Sequence, residues 1–423
     1  MSGQSKTPWQ IGVVSLGTLL EWAEYTFYGY MALTLSTLFF PSNDSTAALM
    51  KTFGIFAVGY IMRPLGAIIF GSVGDNLGRK PALMASLLLM GFATFAIGCL
   101  PTYASIGIGA PLLLLLMRLL QGLAISGEYN GAGIFLVEKS TRLACLAGSW
   151  VSASAAGGMV IGGIAALITS HPSSPSWSWR VPFLLGGLSC FIGIWCRKHL
   201  KESPQFLEDR NSKRPSLLSL LKQYKRSFVV AGAIAAFTGI FVYIGNIYIV
   251  VFLKKTVLLP IEHATLFAIF GEIIVAIMIP IMAYVADKTE PYRQYRLGLC
   301  LIALFSPIIF LLCYSGHYGL IAVAMVIYGA LNGVVCGPMV KILCDLFPSK
   351  VRYTGVSFAW SVAAAIFAGT APLVAEILTT RYHWLFGPSF YVSLVAMVTY
   401  GLIKTTTQPT SLLTPLYPSL TKS

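Results

Sequence analysis

A few ionisable side chains stand inside stretches of this 423-residue chain that are otherwise apolar. Glu21 and Glu24 lie in LLEWAEYTFYGY (19–30). At helical spacing Glu21, Glu24, Tyr25 and Tyr28 fall within about 100° of arc, so two carboxylates and two phenols share one face. A carboxyl group that is buried and crowded by another takes up a proton more readily than one in water, as a proton-coupling site requires. The alternative role for either residue is to partner an arginine of another segment. Arg118, Gln121, Gly122, Ser126 and Tyr129 share a face of RLLQGLAISGEYNGAGIFLVE (118–138). An arginine cannot be neutralised by losing its proton, so Arg118 needs a carboxylate from the protein or from a substrate. Glu128, roughly 15 Å further along the same helix and about 80° round it, is expected to meet another segment. Arg63 precedes Pro64, whose kink frees backbone carbonyls. It is expected either to bind substrate or to clamp Glu128 or Glu138. In the second half Glu272 is the carboxylate nearest mid-segment, with Tyr243, Asn246 and Asn332 as uncharged contacts. Lys341 and Asp345, at i and i+4, read as a structural pair.

The segments that carry these groups are membrane spans. The chain is 56% apolar and only 10% charged, with a mean hydropathy of +0.77. Soluble domains carry about 25% charged residues, and so little polar surface could not cover this much apolar surface. Disorder, collagen, coiled coil and small disulfide scaffolds are excluded by the same numbers. Stretches of about 20 apolar residues fall near 11–34, 50–73, 81–100, 108–136, 143–169, 180–200, 227–251, 262–286, 296–315, 318–343, 353–377 and 384–404. The N-terminus has no small-residue cleavage site, so the first span is expected to remain as an anchor. With the N-terminus in the cytoplasm, 21 of the 29 Lys and Arg lie in inside segments and five outside. That bias puts both termini in the cytoplasm and explains the +14 charge without nucleic acid. Trp177, Trp179, Tyr382 and Trp384 read as interfacial belt residues. The eight cysteines show no CxxC or Cys/His spacing, so no metal and no cofactor is expected.

An internal repeat organises the spans. The longest polar stretch, 201–225, separates six from six. GSVGDNLGRKP (71–81) is echoed by AYVADKTEPYR (283–293), and Asp75 and Asp287 are 212 residues apart. Gln121-Gly122 recurs as Asn332-Gly333 and Trp150 as Trp360, at offsets of 211 and 210. The expected division is a first bundle over 1–200, a linker over 201–226, a second bundle over 227–404 and a tail over 405–423. Two parallel six-helix halves enclosing a midplane site is an all-α, twelve-helix transporter arrangement.

The loop holding Gly71, Asp75, Gly78, Arg79 and Lys80 resembles motif A of the major facilitator superfamily. Its glycines permit a tight turn, Asp75 can accept bonds from a facing helix N-terminus, and Arg79 and Lys80 are expected at the headgroups. The resemblance implies a latch holding the outward-open state, with Asp75 as its central residue and Asp287 in a weaker second copy. LLEWAEYTFYGY, YIMRPLGAIIFGSVGD, the helix from Arg118, KESPQF (201–206) and PSKVRYTGVSFAW (348–360) together resemble the metabolite:H+ symporters, which include proline/betaine, dicarboxylate, citrate and shikimate permeases. Glu24 stands where that family commonly has aspartate, and no heptad tail follows the last span. Arg118 matches the superfamily arginine implicated in proton coupling. Antiporters of the superfamily carry GPxxGG in the fifth span; here Met159 of Gly158-Met-Val-Ile-Gly162-Gly163 replaces the proline.

The expected function is proton-coupled symport, importing a small carboxylate-bearing metabolite across the inner membrane as a monomer. Its partners would be that small-molecule substrate, protons and the lipid bilayer. Glu21, Glu24, Arg118 and Glu128 would serve proton coupling. Tyr25, Tyr28, Arg63, Arg118, Gln121, Tyr243, Asn246, Glu272 and Asn332 would line the substrate site. The alternative is export or import of a larger carboxylate chelator or drug-like solute. No nucleophile elbow, HExxH or phosphate loop suggests an enzyme.

Overall fold

The computed structural model describes residues 7–41, 54–55, 58–140, 142–169, 173–198 and 217–405, a few of them by backbone alone. Helices occupy all twelve expected spans. In chain order they are α1 (Thr7–Tyr30, continued past Met31 by Ala32–Phe39), α2 (Arg63–Asn76), α3 (Arg79–Cys99), α4 (Gly109–Lys139), α5 (Ala144–Thr169) and α6 (Arg180–Arg197). The second set is α7 (Lys225–Tyr243, a π-helical turn Ile244–Tyr248, then Ile249–Lys255), α8 (Ile261–Lys288), α9 (Pro291–Tyr314), α10 (Tyr318–Asp345), α11 (Arg352–Ala363, a π-helical turn Ala364–Ala368, then Ala371–Thr380) and α12 (Gly387–Thr405). Among the described residues eight of these are long and apolar enough to cross a membrane: α3, α4, α5 and α7 to α11. α8, α9 and α10 each contain a proline, which bilayer helices tolerate when neighbours satisfy the freed carbonyl. Most of the expected linker lies outside the described residues. A short helix, Leu217–Gln223, precedes α7, which begins at Lys225.

The two sets of six meet chiefly through α5 against α8 and α10, and α2 and α4 against α11. Under the six-helix repeat, α2 against α11 is the counterpart of α8 against α5, so the interface has a pseudo-twofold axis. Aspartates close both sides of it at the end where α2 and α8 finish. Asp75 Oδ2 accepts from the Thr354 amide at 2.9 Å and from its hydroxyl at 2.6 Å, at the start of α11. Asp287 accepts the Cys145 and Leu146 amides at 2.9 and 2.8 Å, at the start of α5. The first amides of a helix have no intrahelical acceptor and carry the positive end of its dipole, so a carboxylate is their natural partner.

Two expectations about the first loop need correcting. Gly78, with φ of 123°, makes the turn between α2 and α3, but Gly71 lies inside α2. Its role is close approach: a Cβ there would come within 3.0 Å of the Thr354 backbone. Arg79 does not reach the headgroups. It is 1% exposed and binds Asp75 at 2.9 Å, Glu138 at 3.3 Å and the Ser349 carbonyl at 3.0 Å. Arg352 of α11 reaches the same Glu138 oxygen at 3.0 Å. Two buried carboxylates attract the guanidinium more strongly than the membrane surface does. Lys80, in an exposed contact, donates to the Lys198 carbonyl beyond α6 at 2.7 Å. Trp179 is also buried, packed on Phe39 and Phe183, whereas Trp177, Tyr382 and Trp384 are exposed. Lys341 and Asp345 pair as expected.

Cys145 is 1% exposed under the Asp287 contact. Asp287→Asn removes the charge from two helix-terminal bonds, a loss of about 1.4 kcal/mol, which is about tenfold in population. Maleimide labelling of Cys145, read by mass spectrometry, should quicken by about that factor in the variant.

Candidate functional site

The site forms where α1, α2 and α4 are drawn together by glycines. A Cβ on Gly122 of α4 would strike the carbonyl of Gly59, just before α2, and one on Gly59 would lie 3.3 Å from the Arg118 carbonyl. On the other side of α1, a Cβ on Gly158 of α5 would come within 2.6 Å of the Leu19 carbonyl. Backbones this close place side chains one turn away in direct contact.

The first cluster lies wholly in the first six helices. Arg118 Nη1 donates to Gln121 Oε1 at 2.7 Å. Because an arginine only donates, the Gln121 amide group faces the other way, and its Nε2 donates to Thr94 Oγ1 of α3 at 2.8 Å. Thr94 then lies beside Glu24, which also accepts from Ser189 of α6 at 3.2 Å. Glu24, Thr94, Arg118 and Gln121 are each fully buried. The donors run in one direction, from the cation through an amide and a hydroxyl towards the carboxylate. The Arg118 guanidinium also sits over the rings of Tyr25 and Tyr28, 4.6 and 4.4 Å from their centroids. Glu21 is fully buried one turn earlier on α1.

The second cluster crosses the interface. Arg63 stacks over Tyr60 at 3.9 Å and Tyr25 at 5.0 Å, and Tyr243 of α7 is within reach of its guanidinium. The hydroxyls of Tyr60 and Tyr243 are bonded to each other. One turn on, past the start of the π-helical turn, Asn246 Oδ1 accepts from Tyr30 of α1 at 3.3 Å, and its Nδ2 meets the Met159 sulfur at 3.6 Å. Asn246 and Tyr328 both lie beside Glu272, and Asn332 follows Tyr328 by one turn of α10. A π-helical turn inserts one residue and re-aims those that follow; here Tyr243 and Asn246 bracket its start.

The expected residues therefore gather as two adjoining clusters. The alternatives for Arg63 narrow, since Glu138 is occupied by Arg79 and Arg352. The side chain of Glu128 lies outside the described residues. Thr94, Ser189, Tyr30, Tyr60 and Tyr328 were not anticipated. A lone hydroxyl in a membrane helix usually bonds its own backbone, so Thr94 and Ser189 carried no signal. Tyr60 did, three residues before Arg63 on one helical face.

Comparison with known proteins follows the same lines. The sequence profile of the Major Facilitator Superfamily matches residues 14–369. The chain belongs to that superfamily. It is 35% identical to the inner membrane metabolite transport protein YhjE of Escherichia coli K12 over 383 residues, 87% of each chain. It is 30% identical to the proline/betaine transporter of the same strain, covering 93% of this chain and 81% of that one. Among solved structures, the proton:xylose symporter XylE bound to 6-bromo-6-deoxy-D-glucose superposes with a TM-score of 0.76 at 15% identity, covering 95% and 96% of the two chains. The human organic anion transporter MFSD10 gives 0.69 at 16%, covering 95% and 100%. The protein is thus a multi-pass membrane transporter with the major facilitator fold, and not an enzyme.

Gly122→Ala should disturb the whole site by forcing α2 from α4, at about 1–3 kcal/mol. Gly12→Ala, with open space around its Cβ, is the control. Thermal unfolding in detergent should fall by several degrees in the first variant and stay unchanged in the second.

Proposed function

We propose that this transporter is a proton-coupled symporter that imports a small carboxylate-bearing metabolite across the inner membrane. It works as a monomer with both termini in the cytoplasm. The halves 1–200 and 227–404, joined by 201–226, rock about the interface. The observation that carries this reading is the directed chain from Arg118 through Gln121 and Thr94 towards Glu24. With Glu24 ionised, the chain joins a buried cation to a buried anion through two polar groups. A proton from outside neutralises the anion and removes one negative charge from the buried set that faces Arg118 and Arg63. Buried charge of one sign in excess is costly, so the protonated carrier favours arrival of a carboxylate. Arg63, whose surroundings are aromatic faces and a hydroxyl, is the group that receives it.

Glu21 and Glu128 belong to the same coupling region. Tyr25 and Tyr28, packed against the arginines, transmit the change between the two clusters. Asp75 and Asp287 act as latches that hold the cytoplasmic end shut until the loaded carrier rocks. The names of the relatives support metabolite transport, and Met159 in place of the antiporter proline favours symport. The charged, fully enclosed site argues against a large drug-like cargo.

In proteoliposomes an outside-acid gradient should drive accumulation of a transported amino acid or betaine. Glu24→Gln should lose accumulation by tenfold or more while keeping exchange of labelled for unlabelled solute. Uptake indifferent to the gradient in the unmodified protein, or gradient-driven accumulation by the variant, would refute the reading.

A further inference from the structure

Two buried ionisable groups of opposite sign face the interface without meeting each other. Arg63 comes from α2 in the first half and is 5% exposed; Glu272 comes from α8 in the second and is 2% exposed. Neither is fully satisfied: among the described residues Arg63 Nε and Nη2 find no acceptor, and Glu272 Oε1 finds no donor. Arginine 79, by contrast, has carboxylates at 2.9 and 3.3 Å, so the chain satisfies a buried cation where nothing else is required of it. The same stretch of α7 touches both groups. Tyr243 lies beside Arg63 and Asn246 beside Glu272. The two groups therefore flank one short stretch of α7, from Tyr243 to Asn246, on the boundary between the halves.

We propose that the substrate is a zwitterion, its carboxylate bound by Arg63 and its cationic group by Glu272, so that one molecule bridges the two halves. This rests on the carboxylate reading above, though not on proton coupling. The charge arithmetic separates the candidate solutes. A dicarboxylate or tricarboxylate would bring a second negative charge against Glu272. A monoanion with an apolar tail would leave the Glu272 oxygen without a donor, which costs about as much as a lost charged hydrogen bond. Only a solute with both signs completes both groups. Tyr30 and Asn246, already joined across the interface, close over the same region, so occupancy by a bridging molecule favours approach of the halves.

The test is equilibrium binding to the purified full-length protein with no gradient, read by thermal shift. The probes are the twenty common amino acids, glycine betaine, cyclopentanecarboxylate and succinate. Cyclopentanecarboxylate has the shape of proline without its nitrogen. At least one zwitterion should bind tenfold or more tightly than both of the other carboxylates. Glu272→Gln should erase that preference, and Glu272→Asp should keep part of it. Binding of succinate or cyclopentanecarboxylate as tight as that of every zwitterion would overturn the proposal and leave the carboxylate reading standing. A preference unchanged in Glu272→Gln would overturn it as well. Should no probe bearing a carboxylate bind, both fall; a transporter that binds zwitterions but ignores the proton gradient would sink only the coupling.

Discussion

Charge buried away from water must find an opposite charge or a set of hydrogen bonds, and with 10% charged residues this chain has few with which to do it. Three buried arginines show three degrees of satisfaction. Arg79 is held by two carboxylates and a carbonyl. Arg118 reaches towards its carboxylate through an amide and a hydroxyl, with two tyrosine rings beneath it. Arg63 rests on aromatic faces and one facing hydroxyl. A fully paired arginine holds the helices together; Arg63, two of whose nitrogens find no acceptor among the described residues, is the one that the proposed substrate would complete.

The helices bring these groups together by giving up side chains elsewhere. Glycine 122 against Gly59 and Gly158 against Leu19 let backbones approach to contact distance, since membrane helices lack the hydrophobic drive of water-soluble ones and rely on close packing. The π-helical turn in α7 does the complementary work on the other side of the interface. Tyr243, just before it, faces α2, and Asn246, within it, faces α1 and α8, so one short stretch of helix addresses both clusters.

Much of this was legible beforehand. Apolar length marked every helix, and the offset between Asp75 and Asp287 anticipated the pseudo-twofold axis. The buried carboxylates and arginines announced themselves because charge in a membrane span is rare. What stayed hidden was uncharged or depended on neighbours distant in sequence. Thr94 is one threonine in an apolar helix until Gln121 and Glu24 come beside it. Gly71 and Gly78 look alike in the motif, yet one sits in a helix against Thr354 and the other makes the turn. Arg79 reads as a surface anchor until Glu138, 59 residues away, is found next to it.

The two aspartate contacts also differ in a way the repeat alone conceals. Loss of the arginine pair from the second copy suggested a weaker latch, yet each aspartate receives two hydrogen bonds from the opposite half. In the proposed rocking movement the difference lies in what would remain when the halves part. Asp75 keeps Arg79, and Arg79 keeps Glu138, because all three belong to the first six helices. Both donors to Asp287 come from α5, so withdrawal of α5 would remove them together. The first contact would therefore carry its own counter-ion through such a movement. The glycines and basic residues of the complete motif serve that end. Gly71 lets α11 come close enough to be capped, and Arg79 would keep the cap neutral if α11 left.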